Sequence, residues 1–197
     1  PRRETEDGTE YVVAPVSFIK SMDLHRGYVP RQEVTDATDA WAGIPAVPEH
    51  PPDASGHSIS VNDADLTTLG EIRHPETVVN SGDAATHGEL WVNLDAARER
   101  GGQHEEIAAA LDAGRTLHVS SGYSGTRLPS GEYDGAHRDK VIGNIRPDHV
   151  AVLLEGGARC TPQDGCLAGP AAAVANTADA EGDGPAIMVN AVTDDVA

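Results

Sequence analysis

Leu117-His118-Val119-Ser120-Ser121-Gly122-Tyr123 reads as a β-strand that ends in a serine pair placed directly before a glycine. Just upstream lies the best helix in the chain, Glu105-Glu106-Ile107-Ala108-Ala109-Ala110-Leu111-Asp112-Ala113-Gly114. Carboxylates fill its first turn, and Gly114 suits the left-handed position at its end. Downstream, residues 125–135 are turn-rich, a short strand is predicted near 139–142, and 148–155 form a nearly continuous apolar run that fits a buried strand. Further out, strands are predicted at 57–61, 68–73 and 87–94, the last followed by Asp95 as a helix cap. Residues 11–19 predict another strand, with Pro15 marking an edge or a bulge. Residues 35–42 predict a short helix opened by Thr35 or Asp36, and the proline-rich stretch 43–52 is extended. Many strands with few helices predict a mixed, β-rich fold: a small β-barrel with flanking helices over residues 10–160. Residues 1–9 read as a flexible tail. Residues 161–197 are rich in Ala, Gly, Pro, Asp and Thr and read as an irregular arm or linker, in which only 187–189 could pair as a strand.

Composition narrows the class. The 197 residues carry 14 Lys+Arg against 32 Asp+Glu, a formal charge of -18. That argues against nucleic-acid or anionic-membrane partners, which call for basic patches. Hydrophobics at 39% are too many for a disordered chain, although aromatics reach only 4%. Only Lys20 and Lys140 are lysines; the other cations are arginines. Dense hydrated carboxylates with few lysines point to a protein adapted to high salt, where salt screens their repulsion. No apolar run is long enough to span a membrane. The polar start, Pro1-Arg2-Arg3-Glu4-Thr5-Glu6-Asp7, lacks the apolar stretch of a secretory signal, so cytoplasmic synthesis is expected, with Pro1 exposed by loss of an initiator methionine. Cys160 and Cys166 lack the Cys-x-x-Cys spacing of zinc ribbons; a local disulfide and two free thiols both remain open.

There is no Walker loop, no dinucleotide fingerprint and no His-Glu-x-x-His zinc helix, so no cofactor and no metal is expected. A serine becomes a nucleophile when a base takes its proton and backbone donors meet the developing oxyanion. By itself Ser-Ser-Gly is also an ordinary strand end. The order of the chain adds weight. His50 lies upstream in the rigid proline-rich loop, and His149 lies downstream at the head of the apolar run. A fold that joins them to Ser120 would make His50 the general base and His149 the group that holds its tautomer and stabilises its cation.

Several segments, in order, resemble the prohead (capsid-maturation) proteases of tailed viruses, whose fold is similar to that of the herpesvirus assembly protease. Trp41-Ala42-Gly43-Ile44-Pro45 with Glu49-His50-Pro51 resembles the family's histidine segment. Thr68-Leu69-Gly70-Glu71-Ile72 resembles the glycine strand that follows it. Gly114-Arg115-Thr116-Leu117-His118-Val119-Ser120-Ser121-Gly122-Tyr123 is similar to the nucleophile segment. Gly131-Glu132-Tyr133-Asp134-Gly135 and Asn144-Ile145-Arg146-Pro147-Asp148-His149-Val150-Ala151-Val152-Leu153 resemble the closing strands, which end in Gly156-Gly157-Ala158-Arg159. The likeness covers about residues 10–160.

The resemblance implies a serine endopeptidase with Ser120 as nucleophile, His50 as base and His149 in the third position, where many phage members carry a carboxylate. It implies backbone oxyanion donors at Ser121 or Gly122, with Arg159 as a looser match for an assisting arginine. Ser120 keeps the Ser-x-Gly-Tyr spacing, but a one-residue slip would substitute Ser121. The implied partners are the major capsid protein precursor and a scaffolding protein. The implied setting is a procapsid in the host cytoplasm, with retention in the virion as an option and the chain as a homo-oligomer or capsid-bound. Ala197 would suit a self-cleaved end or an ordinary stop. Two other readings stand beside this one. The first is a non-catalytic, capsid-associated protein on the same fold. The second is a metal-dependent hydrolase, which the histidine spacings do not support.

Overall fold

A computed structural model of the chain describes residues 1–24, 26–51, 60–63, 68–80, 82–155, 158 and 160–172. In chain order it contains β1 (Arg2–Glu6), β2 (Thr9–Lys20), β3 (Asp23–Leu24), β4 (Gly27–Tyr28), α1 (Arg31–Asp36), a 3-10 turn (Thr38–Trp41) and β5 (Pro45–Val47). Then come a 3-10 turn (Val61–Asp63), β6 (Gly70–Val79), β7 (Ala84–Asn93), α2 (Leu94–Arg100), α3 (Gly102–Asp112) and β8 (Leu117–Leu128). The described chain finishes with β9 (Gly131–Tyr133), β10 (Ala136–Arg138), β11 (Val141–Leu153), a third 3-10 turn (Pro162–Asp164) and β12 (Leu167–Ala168).

The expected barrel is present. Seven strands close on themselves in the order β11-β5-β6-β7-β2-β12-β8, and β8 pairs back onto β11. Closure removes the sheet edges that would otherwise need cover. Most neighbours are antiparallel; β5 lies parallel to β11, with Val150 opposite Ala46 and Ala151 opposite Val47. Strand β2 buries consecutive residues, Val12, Val13 and Ala14, rather than alternate ones. Helices α2 and α3 pack against it, so both its faces are covered. A single core joins the barrel interior to Leu94, Ile107 and Leu111 of those helices, with the Phe18 and Trp41 rings 4.9 Å apart within it.

Pro15 sits in the middle of β2, where a proline is costly unless its missing N–H has no partner to serve. Strand β1 pairs with β2 only as far as Val13, and β12 pairs only from Val16. Pro15 falls in that gap, and its carbonyl accepts from the Gly169 N–H at 2.8 Å. Pro15 itself stays in register opposite Glu89, and the irregularity of β2 lies further on, between Ser17 and Ile19, so the bulge expected at Pro15 is displaced.

The chain ends differ from expectation. Residues 1–9 are not a loose tail. Asp7 (φ 50°) and Gly8 (φ 83°) make a tight turn that folds β1 back on β2. Arg3 then ties β1 to α3 through two bonds to the Asp112 carboxylate, at 2.9 and 2.6 Å. At the other end, the expected arm begins inside the barrel. Strand β12 is the stave between β2 and β8, with Leu167 opposite both Ser17 and His118. Cys160 and Cys166 are joined by a disulfide across a Cα–Cα distance of 5.5 Å. The loop between them holds itself with the Asp164 carboxylate, which accepts from the Thr161 N–H at 2.9 Å and its hydroxyl at 2.7 Å. A two-residue strand with no flanking period gives no sequence signal, yet it carries the barrel past residue 160 to Ala168.

Smaller corrections have similar causes. Asn93, not Asp95, caps α2, accepting from the Ala96 N–H at 2.9 Å. The helix predicted at 35–42 starts earlier, at Arg31 after Pro30, and ends in a 3-10 turn. Val61, expected in a strand, lies in a 3-10 turn. Residues 57–59 of that strand, and 187–189, lie outside the described residues.

Candidate active site

Strand β8 carries the serine pair and β11 carries His149, and the two lie side by side. Gly122 faces His149, Ser121 faces Val150 and Ser120 faces Ala151. Residues opposite each other in an antiparallel pair share a face, so Ser120, Gly122 and His149 point the same way. The imidazole of His149 lies over Gly122. A Cβ at residue 122 would stand 2.1 Å from His149 Cε1 and 2.4 Å from Nε2. Gly122 is therefore needed for space. The oxyanion role expected of it concerns its N–H, a separate matter.

The parallel pairing of β5 with β11 brings His50 to the same place, three residues after Val47. His50 Nδ1 lies 2.6 Å from His149 Nε2. His149 Nδ1 in turn lies 2.6 Å from Asp148 Oδ2. The same carboxylate accepts from the Val61 N–H at 2.9 Å and from the Ser60 hydroxyl. Adjacent residues of a regular strand point to opposite faces, so Asp148 and His149 should not meet. They meet because β11 bulges: the register shifts between Pro147 and His149, leaving Asp148 without an opposite number. Asp148 was missed at the sequence level. The available signal was Pro147, since a proline inside a strand marks a bulge.

With both rings neutral, these contacts assign the tautomers. The Asp148 carboxylate only accepts, so His149 Nδ1 carries a proton and its Nε2, in the neutral ring, is a lone pair. That lone pair accepts from His50 Nδ1–H. His50 Nε2 is then the free lone pair, which is the atom a general base uses. Burial raises the Asp148 pKa, but donation from Ser60, His149 and the Val61 N–H outweighs it and holds the carboxyl below its usual range. Burial first, and then the positive charge His149 can carry, lowers His50 from 6.5 to about 4.

This has a consequence for stability. The folded His50 pKa lies below the unfolded one, so between about pH 4 and pH 6.5 the unfolded chain binds the extra proton. Stability from this source is complete above pH 6.5 and declines as pH falls toward 4. Urea midpoints at pH 7.5 and pH 4.5 should therefore differ by less in His50→Gln than in the wild type. An equal difference in both would remove His50 as the cause.

Ser120 is 7% exposed and His149 2%. Both line a cavity of about 820 Å³ together with His50, Ser121, Gly122 and Asp148. Ser121 differs from its neighbour: its hydroxyl donates to the Phe18 carbonyl. Among the described residues no hydrogen bond engages the Ser120 hydroxyl. Successive N–H groups of a strand point to opposite sides. Of Ser121 and Gly122, one therefore aims its N–H away from β11, where β12 has already ended opposite His118. Arg159 lies outside the described residues. A second depression, of about 500 Å³ between α3 and Leu154–Glu155, is lined by Glu106, Arg115 and alanines, with no histidine or serine among the described residues. Among the described residues, no group of three or more His, Cys, Asp or Glu is arranged to hold a metal ion, and no helix is long and apolar enough to cross a membrane.

The geometry defines a closed β-barrel with a carboxylate-backed histidine pair beside a serine-bearing strand. No family model, curated protein or solved structure matches the chain.

Proposed function

We propose that this chain is a serine endopeptidase in which Ser120 attacks, His50 is the general base, and His149 and Asp148 position and charge-stabilise His50. The observation that carries the reading is the His50–His149–Asp148 chain ending in one cavity with Ser120. In the reaction, Ser120 Oγ bonds to the scissile carbonyl carbon and its proton passes to His50 Nε2. His50 then gives that proton to the leaving amine, and water releases the acyl group by the reverse sequence. The negative Asp148 stabilises the cation shared by the two rings, which offsets the weaker support a neutral histidine alone would supply. The capsid-maturation setting, with a capsid precursor and scaffold as substrates in a procapsid and a high-salt host, rests on the sequence resemblance and the composition. Slow turnover would suffice there, because enzyme and substrate share a closed shell at high effective concentration.

A fluorophosphonate reagent tests the chemistry without a known substrate. The expected result is one adduct, mapped by mass spectrometry to Ser120, with labelling lost in His50→Ala. An adduct elsewhere, or none on a folded chain, would count against the proposal.

A second reading keeps the fold and drops catalysis. It is favoured by Ser120 itself, whose hydroxyl is bonded to neither histidine here. Active-site bonds are often loose without substrate, which is why the catalytic reading is preferred. A capsid component would show fixed stoichiometry in particles and no labelling.

A further inference from the structure

The cavity is charged against the rest of the molecule. The chain has a formal charge of -18, yet among the described residues three cations, Lys20, Arg26 and Arg146, line this cavity with a single carboxylate, Asp148. Asp148 is spent on Ser60, Val61 and His149, so it offers nothing to a ligand cation. Lys20 is paired with Asp83 at 2.5 Å. Arg26 and Arg146 are exposed, and among the described residues no ion pair engages either. Most other arginines are treated differently: Arg2, Arg3, Arg31, Arg73, Arg98 and Arg138 are all in ion pairs. Arg146 stands three residues before His149 on β11. Arg26 lies near enough to Tyr123, beside the serine pair, to act on its phenol electrostatically.

Resting on the protease reading, we propose that the cavity selects peptide segments with a carboxylate side chain near the scissile bond, held by Arg26 and Arg146. An arginine fork binds a carboxylate through two parallel charge-assisted hydrogen bonds, which fixes the chain's register as well as its charge. Two such forks at one mouth reverse the local field of an acidic protein, which would otherwise repel an acidic substrate. Protein partners from the same high-salt setting would carry the same carboxylate excess, so acidic cleavage segments are the ones on offer. Contact pairs of this kind also survive strong salt better than long-range steering, because the Debye length falls to about 3 Å at 1 M.

The probe is three fluorescent octapeptide pools, identical except for Asp/Glu, Ser/Gln or Lys at the variable positions. Their binding to Ser120→Ala is measured by anisotropy at the lowest salt that keeps the chain folded. Ser120→Ala prevents turnover. The acidic pool is expected to bind at least about tenfold tighter than the neutral pool, the size of one good charged contact. Arg26→Gln/Arg146→Gln should erase that difference, and Arg26→Glu/Arg146→Glu should move the preference to the Lys pool. Both arginines are exposed, and circular dichroism confirms that each variant is folded. Equal binding of all pools, absence of binding, or a preference that survives the Gln pair would overturn the proposal. Cleavage by the chain that retains Ser120 is scored separately. Acid-selective binding without cleavage rejects the protease and leaves the recognition standing; cleavage without acid selectivity does the reverse.

Discussion

Ser120→Ala abolishes precursor cleavage in the expected outcome, with a loss in kcat of at least about 10³-fold. The figure follows from the role: without the nucleophile, only binding and oxyanion donors remain, and their residual rate enhancement is small beside the full triad's. The assay is co-expression with the capsid precursor in high salt, read by intact mass. Ser121→Ala is the paired control for register. Its hydroxyl already donates to the Phe18 carbonyl, so its loss changes a packing contact and leaves the Ser120 hydroxyl in place. Cleavage that survives Ser120→Ala but fails in Ser121→Ala would move the nucleophile by one residue. Survival in both would place the activity outside this chain. A folded wild type that cleaves nothing would bring the structural reading forward.

Gly122→Ala should be nearly as damaging, and for a reason independent of any enzyme assay. The new methyl would lie 2.1 Å from His149 Cε1, well inside contact distance. The strands are locked by their ladder, so the imidazole must leave, and it then loses His50 and Asp148 together. Overpacking of this kind costs about 1–3 kcal/mol. Serine labelling should fall by about 10²-fold or more, since the base loses its tautomer and orientation. Misfolding is separated from the local effect by the double variant. In a His149→Ala background the clash with the ring is gone, so Gly122→Ala should cost less there than it does in the wild type. A full cost in both backgrounds would show that Gly122 is needed for the strand and not for the ring.

Much of the barrel was legible because its long strands carry period-two burial or unbroken apolar runs. The strand of residues 87–94 was readable from its alternating apolar residues, and the helix ending at Gly114 from its acidic first turn and closing glycine. What was missed had little burial of its own. Strand β1 is exposed along nearly its whole length, and its only mark is the Asp7-Gly8 turn. Strand β12 has two residues, and its buried leucine and alanine acquire meaning only between β2 and β8. The disulfide was undecided because spacing permits a bridge without requiring one, and the compact loop around Asp164 brings the sulfurs together.

The candidate site divides along the same line. Residue type and chain order drew attention to Ser120, His50 and His149, and the resemblance to the prohead proteases supplied the roles expected of them. Sequence also carried the acidity and the scarcity of lysine, since those need no coordinates. Tertiary structure alone decided three things. It set the two serines apart, by tying the Ser121 hydroxyl to the Phe18 carbonyl while no described partner engages that of Ser120. It gave Gly122 its purpose, a seat for an imidazole from another strand. And it added Asp148, through a bulge that turns a residue onto the face its neighbour already occupies. The physical reason is common to all three. Local pattern reports which face a side chain prefers, whereas a site is made by contacts between strands about thirty to a hundred residues apart, and one register shift changes which groups can touch.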